Sequence, residues 1–493
     1  MFILHEVRKC KSWSMILNGN TITFYKPVEY NCALGLRRHF LSISRVSFRV
    51  WLFSSILFLS SCAAAPPNFQ PQINSLVLAD KSEQALKILD SQEQAYGKKN
   101  ALLFLLDKAL VLHLAKRYPE SIEFFEKAKL KFDELYTQSI SQGLATWVVN
   151  DYAAAYHGED FEHVQINIFQ ALNYAALNNF SEALVEARDV DNKLQVINTQ
   201  YPPQQKNVYK EDACARFLMG IFYEAAKTPQ DYNDAFISYR KALEIYNGNY
   251  STDYHVAAPG ILKKNLLTAA QFMGPQELDT YRREFPDVNF LSLKEKEKYG
   301  QLYLIQYNGS APIKVEGAIP VPLPGGILNK IAFPVYKERF YEISSSQLIA
   351  DTGTGIKFKD ESELIQDIEK IAVKNLENRR VRVIAKAVAR PAAKYLLEKS
   401  QEGVIRKKYG NDAAWGFRMA AGFFNVYSER ADLRSWQTLP AQIRIARLIL
   451  DPGTYALSLN NFNAERILIQ PLDLGKITIS AGETRFLIVR TVQ

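Results

Sequence analysis

Three short stretches bring reactive side chains close together along the chain. In LFLSSCAAAPP (57–67) a single thiol, Cys62, stands between large apolar residues and a run of Ala and Pro. A thiol so placed is a structural hydrophobe, a nucleophile or an attachment point. In YHGEDFEH (156–163), Glu159, Asp160 and Glu162 precede His163, a mixture of acids and imidazole that invites a metal or general-base reading. In ADLRSWQTLP (431–440), Asp432, Arg434 and Trp436 alternate, a charge pair beside an aromatic.

The first chemistry to test is metal binding. The acids around His163 do not have the spacing of the helical His-Glu zinc motif, and one His with scattered acids is a poor ligand set. Gly158 fits a chain break after which the acids open a helix and complement its dipole. Asp432, Arg434 and Trp436 fit a tight crossover: an Asp–Arg pair, a Trp lid and Pro440 opening a strand. Glu159, Asp160, Glu162, Asp432, Arg434 and Trp436 are therefore kept as candidate interaction residues. The four cysteines, Cys10, Cys32, Cys62 and Cys214, include no metal-type pair. Cys214, in the helix-like KEDACARFLMG, reads as a small buried hydrophobe. There is no Gly-x-Ser-x-Gly elbow, IPVPLPGG (319–326) lacks the ending of a phosphate loop, and TGTGIK (352–357) lacks a nucleotide-binding pattern. These readings point to no enzyme, no cofactor and no metal, with carboxylates paired from distant parts of the chain left open.

Charge places a further constraint. The net charge is +8 over 493 residues, and residues 1–61 carry eight Lys or Arg against Glu6 and Glu29. The remaining chain holds an excess of only two cations, too few for a nucleic-acid footprint.

The basic residues precede VWLFSSILFL (50–59), about ten apolar-dominated residues and too short to span a bilayer. Basic region, short apolar core and small residues make a secretory signal. Leu59-Ser60-Ser61-Cys62 resembles the bacterial lipobox. That resemblance implies cleavage between Ser61 and Cys62 and acylation of Cys62, and two or three acyl chains anchor stably where one is marginal. Ala63, rather than Asp, at the next position implies sorting to the outer membrane of a Gram-negative cell, facing the periplasm. Residues 1–40 have no signal character, and a start near Leu41 or Val46 would leave a leader of ordinary length. Residues 62–72 read as a lipid-anchored tether.

From 73 to 295 helical periodicity dominates, with internal self-similarity. Ala109, Tyr118, Ser121, Phe125 and Ala128 form one copy, Phe180, Ala183 and Ala187 another, and Gly220, Tyr223, Tyr232, Ala235, Tyr239 and Ala242 a third. Small residues let antiparallel helices approach and aromatics fill the gaps, a pattern that resembles the tetratricopeptide repeat. In the third copy KTPQ (227–230) is expected to lengthen the turn. From 296 to 493 the period changes to that of strands: YGQLYLIQYNG (299–309), 332–349, and two expected hairpins, 446–460 around Asp451-Pro452-Gly453 and 475–492 around Ala481-Gly482. IPVPLPGG is expected to be a loop. Two or three helices are expected at 360–428, the first with a capping box of Asp360 and Glu363, another kinked at Pro391, and 413–427 buried. The fold class is α+β: an N-terminal helical repeat domain followed by an antiparallel, sandwich-like β domain with inserted helices.

Across 63–493, the stretches 156–189, 317–336 and 429–455 resemble a family of bacterial tetratricopeptide-repeat-containing lipoproteins. The resemblance brings no activity with it. It implies a lipid-anchored periplasmic protein that binds another envelope protein, in cell-wall synthesis or envelope assembly. The alternatives are an envelope hydrolase acting on glycan or peptide, and a structural lipoprotein whose repeat groove is filled by its own chain. An open groove would mark the first, a closed pocket of convergent acids the second.

Overall fold

A computed structural model describes residues 14–18, 21–25, 43–44, 70–141, 154–199, 209–323, 327–428 and 430–491. The chain divides into Met1–Ala65 and Pro66–Gln493. In the first unit β1 (Ser14–Asn18) pairs antiparallel with β2 (Thr21–Tyr25), and β2 with β3 (Ile43–Ser44). Ser61, Cys62 and the apolar core of the leader lie outside the described residues.

The second unit begins with α1 (Gln70–Leu78), whose start falls within the stretch expected to be tether, then α2 (Ser82–Ser91) and α3 (Glu93–Tyr96). Four helical hairpins follow: α4 (Ala101–Leu114) with α5 (Tyr118–Ser141), α6 (Asp160–Ala176) with α7 (Phe180–Thr199), α8 (Ala213–Ala226) with α9 (Pro229–Ile245), and, past α10 (Ser251–Asp253), α11 (Gly260–Met273) with α12 (Pro275–Glu284). Short α13 (Leu293–Lys296) closes the array.

The repeat residues lie where close helix packing requires them. Ala109, Ser121, Phe125, Ala128, Ala183, Ala187, Ala235, Tyr239 and Ala242 are all buried. Ser121 Oγ donates to the Ala109 carbonyl at 2.8 Å, tying α5 to α4. Gly220 on α8 faces the Tyr239 ring on α9 so closely that a Cβ there would lie 2.4 Å from it. KTPQ does not lengthen the turn. It caps α9: the Asp231 amide donates to Thr228 Oγ1 at 3.1 Å and Pro229 takes a first-turn position whose N–H needs no partner.

The strands are β4 (Gly300–Asn308), β5 (Ile313–Leu323), β6 (Ile327–Lys337), β7 (Ser345–Asp351), β8 (Lys357–Glu361), β9 (Glu363–Asp367), β10 (Gln442–Leu450), β11 (Gly453–Phe462), β12 (Leu468–Ile479) and β13 (Thr484–Thr491). They form two four-stranded sheets, ordered β13-β4-β10-β9 and β12-β11-β7-β8, and a separate β5–β6 ribbon. Neither expected hairpin forms. β10 pairs with β4 and β9 while β11 pairs with β7 and β12, so Asp451-Pro452-Gly453 carries the chain from one sheet to the other. The Ala481-Gly482 turn does the same, and β13 joins β4 in parallel. A tight turn signal fixes a reversal of direction but not the identity of the pairing partner.

β4 is buried at every position because both faces of its sheet are covered. Leu302, Leu304, Ala446 and Leu448 pack against Leu348, Ala350, Leu457 and Leu459 of the second sheet. On the opposite face Ile305, Ile445 and Ile488 sit side by side in register and, with Tyr303 and Tyr307, join the core of the helices. Each fully buried side chain of this size stabilises by roughly 1.5–3 kcal/mol.

Three further expectations are corrected. IPVPLPGG is strand through Leu323; Pro320 and Pro322 pair with Lys330 and Leu328 in a two-stranded ribbon, where an edge tolerates the missing N–H. Asp360 and Glu363 cap no helix of their own. Asp360 lies on β8 and accepts the Arg447 amide at 2.8 Å, and Glu363 on β9 accepts the amides of Gly260 and Ile261 at the start of α11. The inserted helices are two, α14 (Ile368–Tyr409), continuous through Pro391 and capped by Asp367, and α15 (Asn411–Ser428). The first turns of α15, 411–419, are not buried: Trp415 is 62% exposed.

Replacing Gly220 by Ala inserts a methyl into the Tyr239 ring. Net of the better helix propensity of Ala, the expected loss is about 1–3 kcal/mol, read as a lowered midpoint in urea at unchanged m value.

Candidate functional site

The sequence candidates fall into two groups almost three hundred residues apart, and folding joins them. Gly158, at φ +77, turns the chain into α6, with its Cα against the His163 ring. Glu159 and Glu162 are both buried there, and Asp160, the first helical residue, is half-buried. Glu162 Oε2 accepts the Glu159 amide at 2.9 Å, the helix-opening role expected of these acids, and also the Tyr156 hydroxyl. Its other oxygen, Oε1, accepts the Trp436 amide at 2.8 Å. The segment 430–441 thus runs across the N-terminus of α6.

The Asp–Arg pair forms as a fork. Arg434 Nε and Nη2 donate to Asp432 Oδ1 and Oδ2 at 2.8 and 2.6 Å, and Nη1 donates to Asn100 Oδ1 and the Ala154 carbonyl, both at 3.1 Å. Trp436, 1% exposed, meets Phe125 and Phe169 edge-on at 6.2 and 5.9 Å between ring centres. Lys314 on β5 donates to Glu159 and, at 3.0 Å, to the Arg434 carbonyl; Arg379 on α14 also contacts Glu159. Three carboxylates therefore meet three cations.

Sequence reasoning missed the other half of this seam. Asp107, a lone acid in the apolar ALLFLLDKALVLHL, is fully buried; Thr438 donates to its Oδ1 at 2.9 Å, and Gln70 and Tyr96 donate to Oδ2 at 2.5 and 2.9 Å. His113 on the same helix joins Asn173 at 2.6 Å and the Tyr307 hydroxyl of β4 at 2.8 Å. An acid and a histidine inside a predominantly apolar helix were the available signals. At the far end, Lys296 pairs with Glu224 at 2.8 Å, and Asn265 joins Tyr239, Tyr303, Lys296 and Arg447. Asp107, His113, Glu224 and Asn265 of the helix array thus find partners in the chain's own strands and crossover.

Burial sets the protonation of these groups. It pushes Glu162 up to about 7 and Asp107 up to about 6, against hydrogen bonds and, for Glu162, Lys314 that favour the charged form. It drives His113 down to about 4 and His163 down to about 3. Burial also opposes the Asp432 charge, but Arg434 outweighs it and holds that carboxyl below its ordinary range. Both oxygens of Glu162 and of Asp107 are engaged by protein donors, so neither carboxyl presents a free face to a substrate. Among the described residues no group of three or more His, Cys, Asp or Glu could hold a metal ion.

No protein-family model matches this chain, and neither does any curated protein. Among solved structures, nearly identical TPR-like repeats from Podosopora anserina align with 13% identity over 46% of this chain and 96% of theirs, at a TM-score of 0.29; a substituted form of the same repeats aligns with 12% identity over 45% and 95%, at 0.29. Likeness at that score does not establish a shared fold, and the reading of the site rests on its own geometry.

Glu162 has a raised pKa in the folded protein, so its contribution is fully present below the unfolded value near 4.5 and is lost as pH rises through about 7. The buried histidines act in the opposite sense below 6.5, so the test compares wild type with Glu162→Gln at each pH. The variant is expected to be less stable at pH 5 and to gain about 2 kcal/mol relative to wild type by pH 8, measured by urea unfolding. A constant difference would remove Glu162 as the titrating group.

Proposed function

We propose that the chain is a lipid-anchored scaffold of the bacterial envelope, held by acylated Cys62 on the periplasmic side of the outer membrane, which meets an acidic protein partner through its inserted helical arm. One observation carries the reading. The inner face of the helix array is occupied by the chain's own β4, β13 and 430–441, whereas the described outer stretch of the arm, 399–419, is largely exposed.

At 1.5 Å per residue the 42 residues of α14 extend about 63 Å. Its first turns are anchored, with Ile368, Ile371, Ala372 and Asn375 buried. Farther out Val404 (64%), Tyr409 (54%) and Trp415 (62%) are exposed. Lys399, Arg406, Lys407, Lys408 and Arg418 outnumber Glu402 and Asp412 at this end. Aromatic side chains among a cationic excess suit an acidic protein surface, since such residues dominate interface energetics and the charge steers encounter. Among the described residues no helix is long and apolar enough to cross a membrane, so the anchoring in this reading depends on Cys62.

The competing hydrolase reading draws on the raised pKa values of Glu162 and Asp107. Burial accounts for those shifts, and protein donors occupy both oxygens of each carboxyl, so the scaffold reading is non-catalytic.

Two measurements test the proposal. Labelled palmitate is expected in the membrane fraction of wild type and to be lost, with membrane retention, in Cys62→Ala; retention without label would sink the anchor. A photo-crosslinking residue at position 415 is expected to form adducts with one acidic protein in intact cells, and Lys407→Glu with Lys408→Glu to suppress them. The same probe at position 307 is expected to form none. Adducts at 307, or none at 415, would reverse the assignment of the surface.

A further inference from the structure

A second junction between helices and sheet differs from the seam in its charge. A cavity of about 330 Å³ lies between α11, α13, β8 and β10. Its walls include Lys264, Lys296, Lys359 and Arg447, the carboxyl of Asp360, and the rings of Phe290 and Phe358. Only one of the four cations has a carboxylate within ion-pair distance among the described residues: Lys296 on Glu224, at 2.8 Å. Asp360 spends one oxygen on the Arg447 amide at 2.8 Å. The Arg447 guanidinium, 8% exposed, donates to a neutral group, the Asn265 carbonyl oxygen, and lies 5.9 Å from the Tyr303 ring, with the Glu224 and Asp360 carboxylates favouring its charge from beyond ion-pair distance. Counting Glu224 behind the wall, two positive charges remain uncompensated at a partly enclosed site. Around Glu159 and Arg434, by contrast, acids and bases are equal in number.

The excess sits on Lys264 and Lys359 at the mouth, beside the buried Arg447, and like charges gathered at a partly enclosed site attract an anion that supplies the balance. A monocarboxylate would offset half of the excess. A phosphate monoester carries about two negative charges at neutral pH and three strong acceptor oxygens. A guanidinium binds such a group with two parallel N–H donors, while lysines at the mouth act as point charges. The volume corresponds to about ten water molecules at ~30 Å³ each, room for a phosphate and a small ring. Phe290 and Phe358 supply apolar wall for that ring.

We propose that this cavity binds a small phosphate monoester, its phosphate held by Arg447, Lys264 and Lys359 and its apolar body lying against Phe290 and Phe358. The site is separate from the exposed arm and does not depend on the scaffold reading. It gives the molecule a small-molecule input at the junction of its two halves, where α11 and β10 meet.

Isothermal titration calorimetry of the full chain in detergent, at pH 7 and low salt, tests the proposal with phenyl phosphate, inorganic phosphate and benzoate. Phenyl phosphate is expected to bind about tenfold more tightly than benzoate. The rim variant Lys264→Gln with Lys359→Gln, both exposed positions that leave the core intact, is expected to weaken phenyl phosphate about tenfold. Lys87→Gln with Lys116→Gln, on α2 and in the α4–α5 turn, is expected to leave it unchanged. Arg447→Gln is expected to abolish binding, with a urea melt to check folding; if that variant does not fold, the rim variant decides. The proposal is overturned by absence of binding for both phosphates up to about 10 mM, by benzoate binding as tightly as phenyl phosphate, or by an equal loss in the Lys87 and Lys116 control.

Discussion

The burial of β4 on both faces is the constraint on which the rest of this molecule depends. A strand in a sandwich normally turns one face to a partner sheet and the other to water, and its sequence alternates accordingly. Here the outward row, Tyr303, Ile305 and Tyr307, is as apolar as the inward one because the helices occupy the place of solvent. The helix array consequently cannot present that surface to anything else. Its inner side chains are committed to strands β4 and β13 and to the crossover before β10. What resembles a binding groove in isolation is an internal joint.

That joint is polar, which makes it selective as well as adhesive. Burying Asn, Gln, His and carboxyl groups is unfavourable unless each finds a partner. Asn173 satisfies His113 and Ser121 together, and Asn265 bridges both layers. A register error between helices and sheet would strand several such groups at once, so the arrangement penalises near-miss packings more steeply than an all-apolar interface would. The matched charges around Glu159 follow the same logic, and the unmatched ones around Arg447 stand apart from it.

Much of the local architecture was legible in the sequence. Gly220 and Tyr239, and Ala109 and Ser121, announced helical hairpins because close approach depends only on residue size and spacing. The chain reversal at Asp451-Pro452-Gly453 was equally plain, but which strand each arm would join was not, since pairing is decided by surfaces far away in the chain. Pro320 and Pro322 misled because proline argues against a central strand and says little about a free-standing ribbon. At the site, Glu159 with Glu162 and Asp432 with Arg434 and Trp436 stood out as separate groups. Their union rests on a contact spanning 274 residues, Trp436 to Glu162, which no local pattern encodes. Lys314, Arg379 and Asp107 passed unnoticed because nothing near them in sequence marks them as partners.

The parallel pairing of β13 with β4 has a consequence for biogenesis. The ladder joins Asn308 to Thr491, so a central strand acquires one of its two neighbours only after the long stretch of chain between them has been made. Until then the helix hairpins, rich in local contacts and quick to form, hold a wet, unsaturated surface of Asn, His and Tyr side chains beside an unpaired strand edge. Long-range pairing of this kind is slow and leaves intermediates prone to sticking. The interval between completing the helix hairpins and receiving β13 is therefore a vulnerable one, and a holdase acting on that interval would have more to protect than one acting once the two strands are paired.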